Sequence, residues 1–171
     1  MESFETRCAE VQGQVDQWLP DCSAALRIEM SRVCALSDYV GQQLVRDIDM
    51  IKALMNSGEL EQSYSARYYQ SQLENLTLDD LDAELRQCRQ RAMTRIIFRD
   101  LTRRATLEET TADLSSLADA CIAASLRVHY AKNCQRFGFP IGADSGEVQQ
   151  MTVLALGKIG ACELNVSSDI D

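Results

Sequence analysis

The sequence predicts a mainly α fold: a helical bundle over residues 1–137, a linker over 138–150 and a short strand-bearing element over 151–171. Three observations predict it. The composition is 46% hydrophobic but only 6% aromatic, with 2 prolines in 171 residues, which is more typical of helix packing than of a β-sandwich. Apolar residues recur at three- and four-residue spacing through the first 137 positions. That period is then replaced by a continuous apolar run.

The elements follow in order. Phe4, Cys8, Val11, Val15 and Trp18 repeat at helical spacing, and Pro20 closes the segment. A second helix is expected over about 23–34. Ser37 and Asp38 supply a new cap, and Val40, Leu44 and Ile48 carry one helix to about Met55. Asn56-Ser57-Gly58 is a stop signal. A shorter tyrosine-rich helix reaches about Leu73. In "LTLDDLDAELRQCRQRAMTRIIFRDLTRRA", Leu81, Leu85, Cys88, Ala92 and Ile96 form a stripe that Met93, Ile97 and Leu101 widen. Thr106 to Glu109 reads as a capping box, with Glu109 reaching back to the freed amide. A long helix then extends to about Phe137.

Composition excludes several function classes. The net charge of −9 does not suit a nucleic-acid backbone. No run of about 18 apolar residues suggests a membrane span. The polar, acidic start lacks a signal-peptide core, so a cytoplasmic location is expected. The 7 cysteines are odd in number with no C-x-x-C pair, which argues against a disulfide framework and a zinc site. A single histidine, His129, offers no two-histidine metal site and no obvious base for a nucleophile.

Charge is segregated along the fifth helical segment. Asp79, Asp80, Asp82 and Glu84 crowd its start, and Arg86, Arg89, Arg91, Arg95, Arg99, Arg103 and Arg104 load its end. This complements the helix dipole. The arginine face reads either as a solvated surface or as a docking face for an acidic partner or phosphate.

After the linker "GFPIGADSGEVQQ" the run "MTVLAL" (151–156) reads as a buried strand. It enters Gly157-Lys158-Ile159-Gly160. A glycine turn after a strand lets backbone amides face phosphate, and Lys158 adds a point charge. Ten residues then separate Lys158 from Asp169. On a strand Asp169 and Asp171 share one face. Paired carboxylates of this kind suit Mg²⁺ and metal-assisted phosphoryl or nucleotidyl transfer. Spacing alone leaves a second reading open, a polar acidic end.

"LGKIGACELNVSSDID" resembles the signature G-K-L-G-G-x-E-L-N-x-S-S-D-I-D of the bacterial bifunctional glutamine synthetase adenylyltransferase/adenylyl-removing enzymes. The helical stretches "ELRQCRQRAMTRIIFRDL" and "LEETTADLSSLADACIAASL" are similar to that family in content and order, and "LSDYVGQQLVRD" more loosely. The resemblance covers about residues 30–171. It implies a helical bundle leading into the first strand and glycine turn of a truncated α/β nucleotidyltransferase fold, an N-terminal piece of a longer enzyme with two such domains. It also implies the adenylyl-removing half, which takes AMP off an adenylylated tyrosine of glutamine synthetase by phosphorolysis, releasing ADP. The second half attaches AMP from ATP.

The resemblance implies that Asp169 and Asp171 are catalytic metal ligands for Mg²⁺. Gly157, Lys158, Gly160, Ser167 and Ser168 fall at nucleotide- and phosphate-binding positions, with Glu163 and Asn165 at polar motif positions. Glutamine synthetase, a PII signalling protein, nucleotide and phosphate are the implied partners. The family's second glycine is Ala161 here, a costly exchange if that position needs φ > 0. The chain alone is expected to be inactive. The competing expectation is a helical module without chemistry that binds an acidic partner through its arginines.

Overall fold

The computed structural model describes residues 4–65 and 67–168. The fold is mainly α, as expected. It comprises α1 (Phe4–Trp18), α2 (Ala24–Leu36), α3 (Asp38–Arg46), α4 (Ile48–Asn56), a 3₁₀ turn (Glu59–Glu61), α5 (Tyr68–Gln72), α6 (Leu81–Leu101), α7 (Leu107–Phe137) and the one-turn α8 (Gly157–Gly160). No described helix is long and apolar enough to cross a membrane.

Caps set most boundaries. The Ser23 hydroxyl accepts from the Leu26 amide at 3.3 Å and opens α2; Ser37 does the same for α3. The single helix expected from Ser37 to Met55 is two helices. Asp47 leaves helical geometry (φ −146°, ψ 73°) and its carboxylate accepts from the Met50 amide at 3.0 Å. A short acid at a helix start satisfies an amide that has no partner within the helix, so the chain restarts there. Gly58, at φ +77°, ends this region where the sequence signalled a stop.

Two compact units divide the chain: residues 1–63 with 90–110, and residues 64–89 with 111–171. In the first, α1 packs on α2 and α2 on α3, and Val15, Met30, Val40, Ile51, Leu54, Ile96 and Phe98 are fully or almost fully buried. Each such side chain contributes about 1.5–3 kcal/mol by leaving water.

The arginine-rich half of α6 lies inside this unit, which corrects both sequence readings of it. Arg95 is 1% exposed and Arg99 2%. Arg95 donates to the Glu59 carbonyl at 3.1 Å and to the Gln62 carbonyl. Arg99 donates to the carbonyls of Leu60 (3.0 Å) and Arg104 (3.1 Å) and pairs with Glu109. Arg91 pairs with Glu59. Arg104 grips both Glu29 oxygens, at 3.0 and 2.9 Å, and Glu61 at 2.8 Å. The reason is chemical: the segment 59–63 carries carbonyls that its own short turn cannot satisfy, and a planar guanidinium serves several at once. Only Arg86, Arg89 and Arg103 of this run are exposed. Neither a solvated arginine face nor an arginine docking face therefore exists at 91–99.

In the second unit, α7 carries the core residues Leu114, Leu117, Ala120, Ala124 and Val128. The buried Tyr69 hydroxyl donates to the Asp113 carboxylate at 2.8 Å. His129 is exposed on α7. Gly138, at φ +83°, stops the helix, its amide returning to the Cys134 carbonyl at 2.9 Å. The segment 138–150 is a hydrogen-bonded loop. Ile141 and Val148 form an isolated antiparallel bridge, and the Tyr130 hydroxyl donates to the Gln149 carbonyl at 2.6 Å.

The strand expected at 151–156 is not formed, and among the described residues there is no β-strand. Its residues are exposed, Leu154 at 82% and Leu156 at 81%. A strand is defined by its ladder, and no described segment offers one beside it.

Candidate functional site

The candidate site is built from the last described residues, 151–168, seated on α7. Leu156 holds an extended conformation (φ −117°, ψ 166°), and Gly157 turns the chain at φ +63° into α8. Gly157 is thus at a φ that only glycine adopts without strain. Gly160 is fixed for a different reason: a Cβ there would stand 2.5 Å from the Ala155 carbonyl oxygen. Ala161 sits at φ −89°, so alanine is unstrained at the position where the motif resemblance has glycine. The left-handed residue is its neighbour Cys162, at φ +58°. The Glu163 amide returns to the Lys158 carbonyl at 2.8 Å and closes the turn.

Beyond the turn, Asn165 gathers the two motif serines. Its side-chain oxygen accepts from the Ser167 amide (3.2 Å), the Ser167 hydroxyl (3.0 Å) and the Ser168 hydroxyl (2.9 Å). The Ser168 oxygen in turn accepts from the Asn165 amide at 3.2 Å. Both hydroxyl protons are therefore engaged inside the turn. Donation to a phosphate oxygen requires them to rotate away from Asn165.

Of the sequence-designated residues, the fold brings Lys158, Ser167 and Ser168 to one open cleft of about 740 Å³, with Ile122, Leu154 and Leu164 among its apolar lining. Gly157 and Gly160 shape the turn beside it. Glu163 is exposed. Asp169 and Asp171 lie outside the described residues. Among the described residues no three His, Cys, Asp or Glu side chains cluster as metal ligands. The donor set named by the sequence is two carboxylates, hard oxygen ligands of the kind Mg²⁺ takes together with substrate phosphate oxygens.

Two residues that sequence reasoning did not single out hold the motif in place. Leu164 is 6% exposed and is the sole buried residue among the described ones after Cys134. Its local sequence does not set it apart: Val166, apolar in the same stretch "CELNVSSD", is exposed. Ser115 of α7 accepts from the Leu164 amide at 3.4 Å; nothing in its local sequence marks it. The seven thiols are free; burial pushes Cys34 up to about 12 and Cys121 up to about 11, so neither is poised as a nucleophile.

A helical lead ending in a glycine turn, a lysine and paired serines matches one known family over most of its length. The sequence profile described as glutamate-ammonia ligase adenylyltransferase matches residues 28–171, and the chain belongs to that family. It is 45% identical over 168 residues to the bifunctional glutamine synthetase adenylyltransferase/adenylyl-removing enzyme of Pseudomonas syringae pv. tomato, covering 95% of this chain and 17% of that protein. To the enzyme of the same description from Pseudomonas aeruginosa it is 49% identical over 148 residues, 84% of this chain and 15% of that protein. The Nitrosococcus oceani counterpart is 40% identical over 144 residues, 81% of this chain and 15% of that protein. The chain thus spans 15–17% of the length of these relatives. No solved structure matches it.

Proposed function

We propose that this chain supplies the helical lead and the phosphate-facing turn of an adenylyl-removing site, the half of the enzyme that restores glutamine synthetase by taking AMP off its adenylylated tyrosine. The observation that carries this reading is the convergence of Lys158, Ser167 and Ser168 on one cleft beside the glycine turn. An ammonium beside two hydroxyls that can turn outward suits a phosphate-bearing ligand.

In the reaction proposed, an oxygen of inorganic phosphate attacks the AMP phosphorus. The bond from phosphorus to the tyrosine oxygen breaks, ADP forms, and the tyrosine oxygen takes a proton. Lys158 neutralises phosphate charge, and the serine hydroxyls, once turned from Asn165, orient phosphate oxygens. Asp169 and Asp171 would hold Mg²⁺, whose chemistry there is to neutralise charge on the transferring group. Glutamine synthetase is the protein substrate, and a PII signalling protein the regulator that the family resemblance suggests. Alone, the 171 residues bind nucleotide through this turn but are catalytically inactive, because two carboxylates without a neighbouring sheet and further ligands do not complete the chemistry.

The test is a chimera in which this chain replaces the matching 168 residues of the Pseudomonas syringae relative. It should release ADP from adenylylated glutamine synthetase only when phosphate and Mg²⁺ are both present. A chimera that removes AMP normally but no longer attaches it would assign the segment to the other half. ADP release by the 171-residue chain alone would contradict its proposed inactivity.

A further inference from the structure

We infer that Ser115 is a positioning residue for the phosphate-facing turn, acting through the backbone of Leu164. This rests on the nucleotide-site reading above and adds to it a residue outside the motif. The motif segment has one buried foothold. From 135 to 168 every described residue except Leu164 is exposed or half-buried. The Leu164 side chain reaches the cleft floor together with Ile122 and Ile159, and its amide donates to the Ser115 hydroxyl at 3.4 Å. Ser115 itself is 2% exposed, and its proton is committed to the Thr111 carbonyl at 2.8 Å. A helical serine bonded back to the carbonyl four residues earlier presents its remaining lone pairs outward in a fixed direction. Here one of them receives the motif backbone.

The consequence is positional. Leu164 stands between the glycine turn, closed by the bond from Glu163 to Lys158, and the Asn165 turn that holds both serines. Fixing its amide to a rigid helix sets Lys158 on one side and Ser167 and Ser168 on the other at a constant separation. Ser115 touches no ligand; it determines where the ligand-facing groups stand. Removal of its hydroxyl leaves the Leu164 amide buried without a partner, and the loop relieves that by moving outward.

The test uses the full 171-residue chain with Mg²⁺ and ADP as the probe, read by amide chemical shifts. In the unaltered chain, ADP shifts the amides of Gly157, Lys158, Gly160, Ser167 and Ser168, and the Leu164 amide exchanges with solvent more slowly than that of the exposed Leu154. Ser115→Ala should weaken ADP binding about tenfold while the helical circular dichroism is kept, and Ser115→Thr, which retains the hydroxyl, should restore it. ADP binding by Ser115→Ala equal to that of the unaltered chain overturns the inference and leaves the nucleotide site standing. Fast exchange at Leu164 in the unaltered chain overturns it without any variant. No ADP-dependent shift in the unaltered chain overturns the nucleotide site and this inference with it.

Discussion

Arg99 and Glu109 form an ion pair across the turn between α6 and α7, nitrogen to oxygen 2.5 Å, with the arginine side chain 3% exposed and the glutamate 29%. The pair does not stand alone. The same guanidinium also serves the carbonyls of Leu60 and Arg104, and Ser63 donates to the same glutamate oxygen at 2.7 Å. A charge removed from water is tolerable only when most of its donors are filled, and here the two terminal nitrogens are filled by the turn that the arginine holds shut, while Nε is buried without a partner.

Truncation at this position should therefore be costly. Arg99→Ala leaves Glu109 without its counter-charge and two carbonyls without this donor, and urea denaturation should show a loss of about 3–5 kcal/mol. Arg86→Ala, on an exposed part of the same helix, should change stability by less than about 0.5 kcal/mol.

Acid should find the same pair. Burial on its own raises the Glu109 pKa, but hydrogen bonds from Ser63 and Arg99, with the Arg99 charge, outweigh it and hold the carboxyl below its ordinary 4.5. A carboxylate depressed by folding contributes stability above its unfolded pKa and loses it as pH falls through the lower folded value. Urea midpoints should thus fall on acidification below about pH 4.5, and Glu109→Gln should flatten that limb. Asp80, lowered by its hydrogen bonds from Thr77, keeps part of the slope. An unchanged slope in Glu109→Gln would contradict the pairing.

The glycine turn makes an asymmetric prediction. Gly157→Ala forces alanine to φ +63°, at about 1–2 kcal/mol, and Gly160→Ala drives a methyl into the Ala155 carbonyl. Restoring the motif glycine with Ala161→Gly should not stabilise, since that residue is already at φ −89°. It should cost about 0.4–1 kcal/mol through the freer unfolded chain. Thermal melts of the three variants check the order.

Residues 151–156 leave an apolar, exposed edge without a strand partner among the described residues, with no charged side chain from Val148 to Gly157. Such an edge invites strand pairing between copies. The 171-residue chain should show concentration-dependent association by sedimentation, and Val153→Lys should reduce it. A monomer at all concentrations would contradict pairing through this edge.

The sequence and the structure agree where local chemistry decides. Ser37 and Thr106 cap helices as their positions suggest, because a cap is a bond over three residues. Thr106 shows the limit: its hydroxyl accepts from the Glu109 amide at 3.2 Å, but the Glu109 carboxylate turns to Ser63 and Arg99 instead of closing the capping box. That preference is tertiary and has no trace in the four-residue motif. The inward arginines of α6 were hidden for the same reason, since helical spacing shows a charged stripe but not which carbonyls face it. Asp47 lies within the continuous apolar spacing from Val40 to Ile48, which reads as one helix, and its role as a cap shows only in the structure. At the site, the glycines and serines were legible as a motif. Leu164 and Ser115 were not, because their roles depend on a contact between residues 49 positions apart.

The central claim is that the two carboxylates following this turn serve removal of AMP. The most direct measurement compares both activities in the chimera carrying Asp169→Asn with Asp171→Asn. Phosphate-dependent ADP release from adenylylated glutamine synthetase should fall at least a thousandfold, about 4 kcal/mol in the barrier, while attachment of AMP from ATP continues unchanged. Removal that persists in the doubly substituted chimera would contradict the account.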